Sequence, residues 1–116
     1  MKNLFLIPVA AFGLGGCAAV SIPPAQLESS EASMRGAEEL GASGVPAARL
    51  HLQLARDQTD EAKKMAASGN DRAVLVLARA ESDAELAVGL AREAKVHTDA
   101  VKATQDLAAL HGRATP

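Results

Sequence analysis

The sequence has almost no aromatic side chains and only one cysteine. Its 116 residues include two phenylalanines, Phe5 and Phe12, and no tryptophan or tyrosine. Aromatic residues supply the largest buried areas of ordinary cores and are enriched in β-strands. A chain without them after residue 12 is therefore expected to have a thin core and to be all-α. The single cysteine excludes an internal disulfide.

An excess of one charge and a long hydrophobic run are also lacking. Twelve basic and fourteen acidic residues give a formal net charge of −2, and no basic patch is interleaved with aromatic residues. Nucleic acid is therefore not expected as a partner. The apolar segment at residues 4–14 would span about 16 Å as a helix. That is roughly half of the hydrocarbon core of a bilayer, so this segment is too short to span a membrane.

The N-terminal segment instead has the pattern of a secretion signal that ends in a lipid-attachment cysteine. Lys2 precedes the apolar segment, and Leu14-Gly15-Gly16-Cys17 follows it. This run resembles the bacterial lipobox, which has an aliphatic residue, two small residues and a cysteine. The resemblance implies a cleaved signal peptide at residues 1–16 and a diacylglycerol on the Cys17 thiol. In Gram-negative bacteria it implies a further acyl chain, such as palmitate, on the freed amine.

Two other interpretations of the N-terminal segment stay open at this point. One is an ordinary secretion signal with an incidental cysteine, and the other is a short buried helix. Ala18 follows the cysteine where an aspartate would indicate retention. By resemblance to enterobacterial sorting, this favours the inner leaflet of the outer membrane, facing the periplasm.

The rest of the chain is predicted to be an alanine-rich helical domain at residues 24–110. It follows a lipidated tether at 17–23 and precedes a flexible tail at 111–116. Glycines and a proline at 41–46, and a second turn at 68–71, divide it into helices at about 24–40, 46–67 and 71–110. Short connections favour antiparallel neighbours. We expect an elongated helical hairpin or a three-helix coiled-coil-like arrangement.

The third predicted helix has a heptad seam that is occupied mainly by alanine. Its members alternate at spacings of four and three residues, as in a coiled coil: Ala73, Leu77, Ala80, Ala84, Ala87, Ala91, Ala94, Thr98 and Val101. We call this set the alanine seam. It has two candidate uses, which are packing among the helices of the chain itself and binding of another coiled coil. The second use would be self-association or docking to a helical protein partner.

The second and third predicted helices resemble the bacterial lipoproteins that contain the domain of unknown function 4398. The resemblance covers about residues 24–100 and depends on four runs, Leu52-Gln53-Leu54-Ala55-Arg56, Ala62-Lys63-Lys64, Gly69-Asn70-Asp71 and the alanine-rich stretch 78–87. The family commonly has an aromatic residue after the glycine turn, where this chain has Arg72 and Ala73. The resemblance implies an envelope role and an alanine-rich helical fold, and it implies no catalytic activity.

No pattern in the sequence predicts a catalytic, cofactor or metal site. His51, His97 and His111 are the three histidines, and no two of them have the spacing of metal ligands on one helix. Glu81 and Glu85 lie one helical turn apart, and a charged outer face explains them better than paired catalytic carboxylates. We therefore expect no enzyme activity and no small-molecule substrate.

The predicted function follows from the anchor and the helices. We expect a membrane-anchored envelope lipoprotein that acts as a non-catalytic structural or protein-interaction element. The alternative is an accessory or chaperone-like subunit of an envelope complex, in which a partner completes the helical bundle.

Overall fold

A computed structural model of the protein describes residues 20–114, which form three α-helices and one short 3₁₀ turn. Helix α1 spans Pro24–Glu39, α2 spans Pro46–Ala67 and α3 spans Ala73–Ala114, with the 3₁₀ turn at Ala42–Gly44 between α1 and α2. The helices pack together in an elongated arrangement. The predicted all-α class and the predicted three-helix architecture are therefore confirmed.

Prolines begin two helices and glycines end them, as the sequence pattern indicates. Pro24 and Pro46 stand at the first positions of α1 and α2, where a missing N–H costs no intrahelical hydrogen bond. Gly41 and Gly69 follow the ends of the same helices with φ of 81° and 77°. This left-handed conformation strains any residue with a Cβ atom, so glycine is the residue that ends a helix in this way.

Both ends of α3 differ from the prediction. The helix begins at Ala73 and not at residue 71, and in the turn before it the Asn70 side-chain oxygen accepts the Arg72 N–H at 3.0 Å. Residues 111–114 were expected to be part of a flexible tail, but they belong to the last turn of α3. No proline interrupts the helix before residue 114, and Arg113 places a positive charge near the negative end of the helix dipole.

The three helices run alternately up and down. Ile22, just before α1, and Leu27, in its first turn, pack on a buried cluster that contains Leu77 from the start of α3. Ala37, at the end of α1, lies in a second cluster with Ala91 from further along α3. Helices α1 and α3 therefore run in the same direction, with α2 antiparallel to both. Residue 20 enters the bundle at the end where α3 begins.

The core is built almost wholly from alanine. Among residues 20–114, eleven of the thirteen buried hydrophobic residues are alanines, and the other two are Leu52 and Leu77. Small side chains let helix axes approach closely, although each buries little area. The approach is visible where α1 meets α3, since a Cβ atom added to Gly36 would lie 3.9 Å from Val88 Cγ2.

The last half of α3 extends past the other two helices. Ala91 is the last buried residue of α3, and every residue from 95 to 114 is exposed. We call residues 95–114 the overhang. Twenty helical residues at 1.5 Å each make it about 30 Å long.

Candidate functional site

The predicted lipid-attachment residues lie outside the described residues 20–114. They are Leu14, Gly15, Gly16 and Cys17. The structure does show how the chain enters the bundle three residues after Cys17. Ile22 packs beside Leu27 on the first buried cluster, which seats the entry of the chain at the end of the bundle opposite the overhang.

The alanine seam is divided between the bundle and the solvent. Its first six positions are buried against the other helices, each at 1% exposure or less: Ala73, Leu77, Ala80, Ala84, Ala87 and Ala91. Ala94 is half-buried, and Thr98 and Val101 are exposed. Packing within the chain therefore occupies the seam as far as residue 91. Binding of a partner through the seam stays a prediction, and its last two positions are the ones that face solvent.

A second apolar stripe runs along the overhang on a different face of α3. Its members repeat at alternating spacings of four and three, and all are exposed: Val96, Ala100, Ala103, Leu107, Leu110 and Ala114. We call this set the outer stripe. Its three large members are 56–62% exposed. The step from Ala91 to Val96 is five residues, which turns the helix by about 140°. The outer stripe therefore faces away from the buried alanines.

The outer stripe was not predicted from the sequence, although the sequence contains a signal for it. Its spacing is the same as that of the alanine seam, and it begins where the seam loses its alanines. A helix with two apolar stripes has more apolar surface than one bundle face can cover.

Asp83 joins α3 to α2 through two side chains. Its two carboxylate oxygens lie 2.7 Å from His51 Nδ1 and 2.8 Å from Gln58 Nε2. His51 and Gln58 are seven residues apart and so lie on the same side of α2. The His51 side chain is 27% exposed and faces Asp83. The contact fixes the register of the two helices.

Helix α1 is held on α2 by two ion pairs in one antiparallel register. Glu31 pairs with Lys63 at 3.0 Å, and Glu38 pairs with Arg56. Each step of seven residues along α1 matches a step of seven back along α2. These pairs are about half exposed, so each contributes little to stability, typically less than about 1 kcal/mol. Their effect is to select one register.

The structure does not bring the candidate chemical residues together. Glu81 lies 3.5 Å from Gln26, and its neighbour Glu85 is exposed. His51 is in the bundle, whereas His97 and His111 are on the overhang. Among residues 20–114, no group of three histidine, cysteine, aspartate or glutamate side chains is placed to hold a metal ion.

Comparison with known proteins adds no relative. No family model, no curated protein and no solved structure matches the chain. Across the part of the chain that the structure describes, no helix combines the length and the apolar character needed to cross a membrane.

Proposed function

We propose that the protein is a lipid-anchored envelope lipoprotein and that it acts as a non-catalytic structural or protein-interaction element. The observation that carries the proposal is the run Leu14-Gly15-Gly16-Cys17 at the end of an apolar segment. In this proposal Cys17 carries the lipid, and residues 17–23 tether the helices to the inner leaflet of the outer membrane. The resemblance to the domain of unknown function 4398 is part of the same proposal.

The structure supports this proposal through the placement of its two ends. Residue 20 enters at one end of the bundle, and α3 continues past the other end as the overhang. A lipid at Cys17 would hold the entry end near the membrane and leave the overhang reaching outward. The outer stripe then presents Val96, Leu107 and Leu110 at a distance from the anchor. Exposed apolar residues grouped on one face are typical of an interaction surface.

Intact-mass measurement of the membrane-fractionated protein tests the anchor. The wild type is expected to lack residues 1–16 and to show the mass increment of attached acyl chains. A Cys17→Ser variant is expected to show no increment and to leave the membrane fraction. Ser21→Ala is the matched control, since it changes a residue four positions away and should keep the lipid. An unmodified wild-type protein in the soluble fraction would contradict the proposal.

The second candidate function is an accessory or chaperone-like subunit whose partner completes the helical bundle. The observation that favours it is the exposure of the last two residues of the alanine seam, Thr98 and Val101, which follow the buried seam residues at the same spacing. Crosslinking in the native envelope separates the two candidates. One stoichiometric partner crosslinked near residues 98–101 supports the subunit, whereas self-crosslinks or association with the cell wall support the structural element.

A further inference from the structure

We propose that the outer stripe is the interface of an antiparallel homodimer, in which the overhangs of two copies of this chain pair along their length. The inference goes beyond the proposed function, and it does not depend on lipid attachment. Three features of the overhang carry it, namely the order of side-chain sizes, the charges beside the stripe and the small area of the stripe.

The order of large and small residues in the outer stripe is complementary to itself in reverse. Read forward, the stripe is Val, Ala, Ala, Leu, Leu, Ala. When two copies are reversed about position 105, Val96 faces Ala114 of the second copy, Ala100 faces Leu110, and Ala103 faces Leu107. Each of the six layers then contains one large and one small side chain. Facing positions that alternate in this way pack to an even depth.

A parallel pair lacks this complementarity. Each residue would then face its own copy, so Leu107 and Leu110 would form two wide layers beside two narrow layers at Ala100 and Ala103. Such an interface holds the helices apart at one level and leaves a gap at the next, and gaps between packed side chains lose contact energy. The size order therefore selects a second copy in the antiparallel orientation as the occupant.

The charges beside the outer stripe predict both attractive and repulsive contacts in the antiparallel dimer. Asp99, Asp106 and Arg113 each precede a stripe residue and lie on the same flank. In the antiparallel register, Arg113 of one copy comes within two residues of Asp99 of the other. This makes two opposite-charge pairs at the ends of the interface, although Asp99 also accepts a hydrogen bond from Lys95 of its own chain at 2.8 Å. Near the centre, the two copies of Asp106 lie close together and repel each other.

The size of the stripe fixes the strength of association that is expected. Half of the twelve interface side chains are alanines, so the pair buries less than the roughly 1,200 Å² of a standard stable complex. Dimerisation is therefore expected in the micromolar range and not in the nanomolar range. The overhang itself favours pairing, because tertiary packing supplies most helical stability in proteins and residues 95–114 are exposed along their whole length.

Sedimentation equilibrium of the purified full chain, in the Cys17→Ser form, measures the association. We expect a monomer–dimer equilibrium with a Kd between about 1 µM and about 1 mM. Leu107→Glu should weaken it by at least about tenfold, since it places a charge in the interface. Leu75→Glu is the matched control, because Leu75 is also an exposed leucine of α3 but lies outside the overhang. Asp106→Asn should tighten the dimer, because it removes the central repulsion.

Disulfide crosslinking tests the orientation in the same Cys17→Ser background. A mixture of Ala103→Cys and Leu107→Cys chains should form the mixed disulfide in preference to either self-disulfide. A monomer over the whole concentration range would overturn the proposal, and so would a dimer that Leu107→Glu leaves intact. Self-disulfides of Ala103→Cys without the mixed product would overturn the antiparallel register. None of these results bears on whether the wild type is lipidated, so the dimer and the anchor fail independently.

Discussion

Leu77 gives the sharpest test of how this domain is held together. It is fully buried near the start of α3, in a cluster with Ala62 and Ala80. Replacing it with alanine removes one of the two leucines in the buried core of residues 20–114. Its buried neighbours Ala62 and Ala80 have no side-chain carbons beyond Cβ, and the side chains that can shift toward the space are the partly buried Ile22, Leu27 and Val76. We therefore expect Leu77→Ala to leave a cavity that relaxes only in part.

The expected loss is large for a domain of this size. Leucine-to-alanine changes in cores cost about 2–5 kcal/mol, and the cost rises with the volume of the cavity that remains. A site with both alanines and larger, partly buried side chains around it belongs near the middle of that range, at about 3.5 kcal/mol. A change of 1 kcal/mol shifts the melting temperature of a domain of 60–100 residues by about 4–8 °C. The melting temperature of Leu77→Ala should therefore fall by about 14–28 °C.

Urea and thermal unfolding of the full chain, followed by circular dichroism at the helical band, measure this loss. Leu75→Ala is the matched control, because the same substitution is made two residues away, at a side chain that is 69% exposed. It should change stability by less than about 0.5 kcal/mol. Equal losses for the two variants would refute the reasoning, since they would mean that the helix and not the buried contact determines the stability.

Three further outcomes are expected from the described contacts. Gly41→Ala should lower the free energy of unfolding by about 1–2 kcal/mol, because the φ of Gly41 is 81°. Gly44→Ala should not lower it, because Gly44 has no positive φ and nothing lies within 4 Å of its added Cβ. Chemical denaturation measures both, and equal losses would contradict the account. Asp83→Ala should lower the free energy of unfolding by about 1–3 kcal/mol, because it leaves the partly buried His51 and Gln58 without their acceptor. A double-mutant cycle with His51→Ala checks this, and a coupling energy near zero would contradict it. In dilute protein, amide hydrogens of residues 95–114 should exchange much faster than those of residues 73–91, because only residues 73–91 pack in the bundle. Uniform protection along α3 would contradict the placement of the overhang outside the bundle.

The boundaries of α1 and α2 were predictable because they depend on local chemistry. Proline at the start of α1 and α2 and glycine after their ends are signals that act within one or two turns, and Gly41 and Gly69 adopt the positive φ that such signals require. The fold class followed from composition, since a chain that is rich in alanine and has no aromatic residue after Phe12 favours helices over a sheet.

The contacts between helices were not predictable to the same degree. The alanine seam identifies a buried face of α3, but its spacing does not say where the covering helices stop. That limit depends on their lengths, since α1 has 16 residues and α2 has 22 against 42 in α3. The Asp83 contact joins residues 25 and 32 positions apart. A local sequence pattern does not predict which side chains will come into contact once α2 and α3 have packed together.

The opposite placement of the chain entry and the overhang gives the protein the properties of a spacer. The 42 residues of α3 span about 63 Å. A group attached near residue 20 and a molecule bound at the last turn of α3 would be separated by nearly that distance, with the continuous helix α3 between them. In the proposed dimer the overlapping overhangs extend the distance between the two entry points to about 96 Å. The length of the overhang then determines the distance between the entry of the chain and the last turn of α3. Each seven-residue deletion or insertion in the overhang would change that distance by about 10 Å and keep the last turn facing the same side of the helix.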